Sequence, residues 1–191
     1  MKDNTNGFLL TQKETERYFN LQKALFEFSQ LFAFEEPNDR AIAVIGGAFL
    51  DTVLLHILQN FFPEDEKEAK QLFEYNNPLG TYSARVKMVF CLGLIDKLIM
   101  EDLKLVGKIR NEFAHNLNAS FNDSRIGPWC KELKWHRFAY MNPPKYATNR
   151  DLFQVGVHQL ISHLNGTVSI ARGRKIKIQD SFFEEYKNRK E

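Results

Sequence analysis

The segment from Asp39 to Phe62 constrains this chain more than any other. Its apolar residues point in nearly every direction around a helix instead of forming one stripe. Such a helix cannot lie on a surface; other helices or lipid must enclose it. Its most apolar part, Ala41 to Leu58, also carries Asp51, His56 and two glycines. That makes a membrane span marginal and a buried central helix the better reading. Gly46-Gly47-Ala48 thins the helix surface, and glycine's cost in a helix interior is best explained by a neighbour packed close against it. Asn38 can cap the start, and Asp39 suits the positive end of the helix dipole.

A central helix needs a shell, and helical periodicity supplies one on both sides. Tyr18, Leu21, Leu25, Phe28 and Phe32 share one face of a helix over Lys13–Phe34, which Pro37 ends. After Pro63, a short helix begins in the charged stretch Glu64–Lys70 and runs through Leu72 and Phe73. The turn formers Asn76 to Gly80 follow. Thr81 or Ser83 caps a helix to Leu92, with Gly93 as a left-handed stop. Asp96 caps a helix from Lys97 to His115 whose apolar stripe is Ile99, Leu103, Val106, Ile109 and Phe113. A polar loop spans Asn116 to Ile126, and Pro128 opens a helix to Trp135. Arg137 to Asn149 reads as irregular. A last helix from Arg150 to Ile170 carries Phe153, Val157, Leu160, Ile161, Leu164 and Val168 on its stripe.

The expected fold is therefore all-α: a compact bundle of about six to eight helices in a single domain. An N-terminal helix (1–37) joins a core (38–170), and a tail (171–191) is a candidate docking helix. The chain's 191 residues suffice for one core. No strand followed by a glycine loop precedes a helix, so nucleotide-binding folds lose support.

A net charge of +2 gives no whole-chain reason to bind a polyanion, so any nucleic-acid surface must be local. Seventeen phenylalanines promise a large aromatic core or an apolar face that meets a second copy, hence an expected homodimer. Cys91 and Cys130 lack metal-ligand spacing and read as reduced packing residues. No secretory signal or membrane segment is evident, so the expected location is the cytoplasm. No cofactor or metal is implied.

Several short motifs then fall in order: Asp39-Arg40, Leu50-Asp51, Asn77-Pro78-Leu79-Gly80, Ser83-Ala84-Arg85, Leu92-Gly93-Leu94-Ile95, Arg110 to His115, and Ser120-Phe121-Asn122-Asp123. Together they resemble the mannitol-repressor family of small bacterial helical proteins, over about Asp39 to Leu133. The resemblance implies negative control of mannitol-uptake genes. It implies no known DNA contact, and no helix-turn-helix is evident. The block Ile109-Arg110-Asn111-Glu112-Phe113-Ala114-His115 also resembles the signature of the HEPN superfamily, an arginine followed by four residues and a histidine. Many of those proteins are dimeric, metal-independent ribonucleases or toxins; others only bind nucleic acid or protein.

Arg110, Asn111 and His115 are the residues that could carry catalysis under that second resemblance. An arginine fork suits a phosphate, a histidine can move a proton near neutral pH, and Asn111 could hold the phosphate or orient the histidine. Five residues along a helix turn the chain by about 500°, so Arg110 and His115 diverge by roughly 140°. They can share a site only where the helix ends or where a second copy completes it. The bland alternative is that basic residues simply favour the last turn of a helix.

Asp51 lies on the same stripe as Val44, Ala48, Leu55 and Leu58 and must find a partner; Arg85 and Arg110 are the candidates by motif, either as a functional polar cluster or as a structural ion pair. His56, His158 and His163 fit helix faces without metal-pair spacing. Trp129 and Trp135 with Lys131 and Lys134 could stack on a nucleic acid, but such helices more often bury the rings and expose the lysines. The small basic run from Arg172 to Lys177 reads as a solvated end. Two functions compete: a non-catalytic regulator working through an unidentified protein partner, which the larger set of motifs favours, and a HEPN-like ribonuclease whose ligand would be RNA.

Overall fold

The computed structural model describes residues 38–63, 67–139 and 145–178, with scattered positions between 12 and 26. Among these the chain is all-helical, with no strand. The helices are α1 (Asp39–Phe61), α2 (Lys67–Gln71), α3 (Tyr82–Cys91), α4 (Lys97–His115), α5 (Ile126–Glu132), α6 (His136–Ala139) and α7 (Asn149–Gly173). Most of the expected N-terminal helix, and the tail beyond 178, lie outside the described residues. Leu21, on the expected apolar face, is buried.

α1 is the centre. It packs along α7 and against α4 and α3, and Ile42, Leu50, Val53, Leu54, Ile57 and Leu58 are fully buried. It is long and apolar enough to cross a membrane by length and composition alone, and 56% of its most apolar window is buried against these neighbours. Sequence caps set the helix starts. Asn38 accepts from the amides of Arg40 and Ala41, Thr81 from Ala84, and Asp96 from Ile99. Thr148 and Asp151 form a reciprocal capping box on α7. Gly93 ends α3 at φ 67°, and the Leu94 amide reaches back to the Val89 carbonyl.

The loop after α4 is tied down rather than loose. Phe121 inserts between Phe113 of α4 and Phe153 of α7, with ring centroids 4.8 and 5.2 Å away. Its carbonyl accepts from the Asn149 side chain at 2.9 Å. Arg40 donates to the Asn116 carbonyl at 2.7 Å, and Arg150 pairs with Asp39 at 3.2 Å. The starts of α1 and α7 are thereby latched to the end of α4.

Four expectations need correction. α5 begins at Ile126 and ends at Glu132, so Trp135 is not part of it. The stop is set by Asp102, whose carboxylate takes the Lys134 and Trp135 amides, both at 2.8 Å, and starts the chain into α6. α6 therefore occupies part of the stretch read as irregular. α7 continues to Gly173, because Ala171 still faces the core. Cys91 is exposed, at the outer end of α3, whereas Cys130 is a buried packing residue whose thiol is pushed up to about 12, mainly by burial.

Candidate functional site

Two polar assemblies sit side by side where α1, α3 and α4 meet. The first is closed. Arg85 on α3 pairs with Asp51 on α1 at 2.8 Å, and its Nε donates to the Leu79 carbonyl at 2.9 Å. The arginine side chain is only 10% exposed and the aspartate 28%. Asp51 therefore borders the core: Ala48, on its stripe, is exposed, and Val44 and Leu55 are half-buried.

The second assembly centres on Arg110. Gly47 explains how this side chain crosses α1: a Cβ on that glycine would lie 2.7 Å from Arg110 Cγ. The thin surface expected of α1 thus admits the stem of an arginine. The Arg110 guanidinium carbon lies 5.9 Å from the centre of the Tyr82 ring. Its Nη1 donates to Asn111 Oδ1 at 3.1 Å. Of the expected trio, Asp51 and Arg85 are joined directly, while the polar partner of Arg110 is Asn111.

Tyr82 separates the two assemblies, and sequence reasoning missed it. Its ring lies over Gly107, where a Cβ would come within 2.8 Å of Cε1. Its hydroxyl donates to the Leu103 carbonyl at 2.8 Å. Burial pushes this phenol far above its ordinary range; the negative charge of Asp51 adds to the rise and Arg110 opposes it. The signal that could have found it was the pairing of a tyrosine with a helix glycine, which becomes meaningful only once two helices are placed together.

A groove of about 390 Å³ opens beside this ring, between the start of α3 and the outer face of α4. Lys104, Lys108, Arg110 and Asn111 line one side; Thr81 and Ser83 line the other. His115 is exposed at the end of α4 and is not part of the lining. In a single copy of the chain the residues of the Arg110–His115 motif are therefore divided between groove and helix end. Neighbouring Glu112 pairs with Arg125 at 2.8 Å.

The tryptophan segment does not form a stacking face. Trp135 is buried, with its ring 4.8 Å from that of His163. Lys134 binds Glu101 at 3.0 Å, and Trp129 is half-buried under Lys108. Asp102 was also missed, although it falls on the apolar stripe three residues after Ile99 and four before Val106. It is fully buried, and Oδ1 has no hydrogen-bond partner. Burial raises its pKa, against the two amides that bind Oδ2. Burial lowers the pKa of nearby His136, helped by Arg137. Among the described residues no three His, Cys, Asp or Glu side chains gather as a metal site.

Among the described residues the protein is an all-helical bundle around a central helix, with a latched core and an open basic groove. Residues 38–165, more than half of the chain, match the family model of the mannitol repressor. The chain belongs to that family. Among curated relatives, the mannitol operon repressors of Escherichia coli K12 and of Escherichia coli O6:H1 are each 33% identical over 99 residues, covering 49% of this chain and 49% of theirs. The aligned region thus spans about half the length of those relatives. Among solved structures, a chain of the MtlR–HPr complex from Escherichia coli superposes with a TM-score of 0.55 at 22% identity, over 80% of this chain and 99% of that one. At that identity the likeness concerns the fold.

Proposed function

We propose that this chain is a non-catalytic regulatory protein of the mannitol-repressor type that acts by protein–protein contact, as a cytoplasmic homodimer. The match of residues 38–165 to the mannitol repressor carries this reading. Support comes from the structural relative, which was solved together with a second protein, HPr. The geometry agrees: Arg110 is packed on Gly47 and Tyr82 and bonded to Asn111, while His115 stands apart at the helix end. A general acid–base pair must reach one reacting phosphate together. Ribonuclease activity through Arg110, Asn111 and His115 would need a second copy to supply the missing half.

The test is a calorimetric titration of the purified chain with the HPr of its own organism, with sedimentation of both samples. The expected outcome is a saturable complex with a dimer of this chain. Absence of heat and of co-sedimentation at concentrations of about 100 μM, where contacts as weak as roughly 5.5 kcal/mol are still detected, would remove HPr as the partner. A monomer in every sample would remove the dimer.

A further inference from the structure

We propose that the groove between α3 and α4 is a binding site for a small phosphate-bearing ligand. Among the described residues its charged lining is entirely positive. Lys104 and Lys108 stand one turn apart on α4, both exposed and neither ion-paired with a described residue; on their other side they border a depression with Glu101, Asp102 and Glu132, and the Lys108 amine lies 5.9 Å from the Trp129 ring centre. Arg110 gives one N–H to Asn111 and keeps the rest of its fork. That bond occupies Asn111 Oδ1, so the amide presents its two N–H donors. Thr81 and Ser83 add hydroxyls from across the groove. Among the described residues no carboxylate lines it: Glu101, one turn before Lys104, is held by Lys134 at 3.0 Å.

Three cations gathered in a concave site repel one another, and an anion relieves that repulsion. A carboxylate would neutralise one of them. A phosphate monoester carries a charge of about −1.5 to −2 with three acceptor oxygens, which matches an arginine fork flanked by two lysines. The volume of about 390 Å³ suits a small molecule. Tyr82 and Val86 supply an apolar wall for the body of the ligand. Because the Tyr82 hydroxyl is committed to Leu103, the ring acts as a surface and not as a donor. The site stands independently of the protein-contact reading.

The experiment follows ¹H–¹⁵N correlation spectra of the full chain at pH about 7.5, where phosphate is mostly dianionic. Inorganic phosphate and phenyl phosphate are added separately, with chloride holding ionic strength constant. Saturating shifts are expected at the amides of residues 81–83 and 104–111, stronger for phenyl phosphate because of the apolar wall. Lys104→Gln with Lys108→Gln should weaken binding about tenfold at unchanged melting temperature. Should the pair lower the melting temperature, Lys104→Gln alone decides, with about threefold weakening expected. Shifts no larger than those of chloride would overturn the proposal, as would phosphate binding undiminished by the substitutions. Saturation of the same amides by a short RNA or an acidic peptide, with neither phosphate binding, also overturns it and makes the groove part of a polyanion surface.

Discussion

On one side of Tyr82 lies the Asp51–Arg85 pair, and on the other the Lys104–Lys108–Arg110 groove. The pair joins α1 to α3, whereas the groove cations all stand on α4, and the two differ in what remains unmet. Arg85 has a carboxylate at 2.8 Å and a carbonyl at 2.9 Å and is nearly sealed from water. Lys104 and Lys108 face solvent with no carboxylate among their described groove neighbours. A satisfied buried charge fixes how two helices meet; unmatched charges in a cleft leave chemistry for something else. The molecule thus separates an architectural polar site from a binding one by the width of a single aromatic ring.

The sharpest break of that contrast is Asp51→Ala. It strands Arg85 in a site 10% exposed. The expected loss is about 2–3 kcal/mol, below the 3–5 of a fully buried pair because Asp51 itself is partly solvated. At this chain length that is a fall of roughly 5–10 °C in melting temperature. A fall no larger than that of a surface substitution would show the pair is not architectural.

Gly47→Ala tests the crossing of Arg110. Helix propensity alone predicts a gain of about 1 kcal/mol. The new Cβ, 2.7 Å from Arg110 Cγ, instead predicts a net loss of about 1–2 kcal/mol. Urea unfolding gives the sign, and a stabilised variant would mean that the arginine stem moves aside freely.

Asp102→Asn probes a different buried carboxylate, and here pH is the variable. Burial holds the folded-state pKa above the ordinary 3.8. The stability contributed by the neutral form is therefore complete below that value and is lost as pH rises through the raised one. The variant has no such dependence, so it should gain on the wild type between about pH 3.5 and pH 7. Paired urea titrations at the two pH values check the trend, and a variant that instead loses ground toward neutral pH contradicts it.

Lys104→Gln should change stability by no more than about 0.5 kcal/mol, the expectation for an exposed residue, and Lys108→Gln by up to about 1 kcal/mol because it also gives up its contact with the Trp129 ring. A larger loss by thermal unfolding would place these lysines on the architectural side of the comparison.

Much of the fold was legible because its signals are local. Caps at Asn38, Thr81 and Asp96, the left-handed Gly93 and the all-round apolarity of α1 each act within a few residues, and each lies where the pattern placed it. The break between α5 and α6 was not legible, because Asp102, more than thirty residues upstream, imposes it through space. The same holds for the site. Asp51 announced a need for a partner, and Arg85 was one of two candidates. That Gly47 and Gly107 receive Arg110 and Tyr82 depends on helix crossings that no local pattern records. The groove lysines were invisible for a related reason: on a linear chain they look like any solvated helix face.

The central claim is that this chain works by binding and does not cleave RNA. The most direct test is incubation of purified wild type and His115→Ala with total RNA in the presence of chelator, with the melting temperature of each recorded. The account predicts intact RNA in both samples, since the mannitol-repressor match over residues 38–165, and not the Arg110–His115 spacing, carries the proposed function. Metal-independent cleavage by the wild type that falls by about 10²–10⁴ in His115→Ala, at unchanged melting temperature, would contradict it.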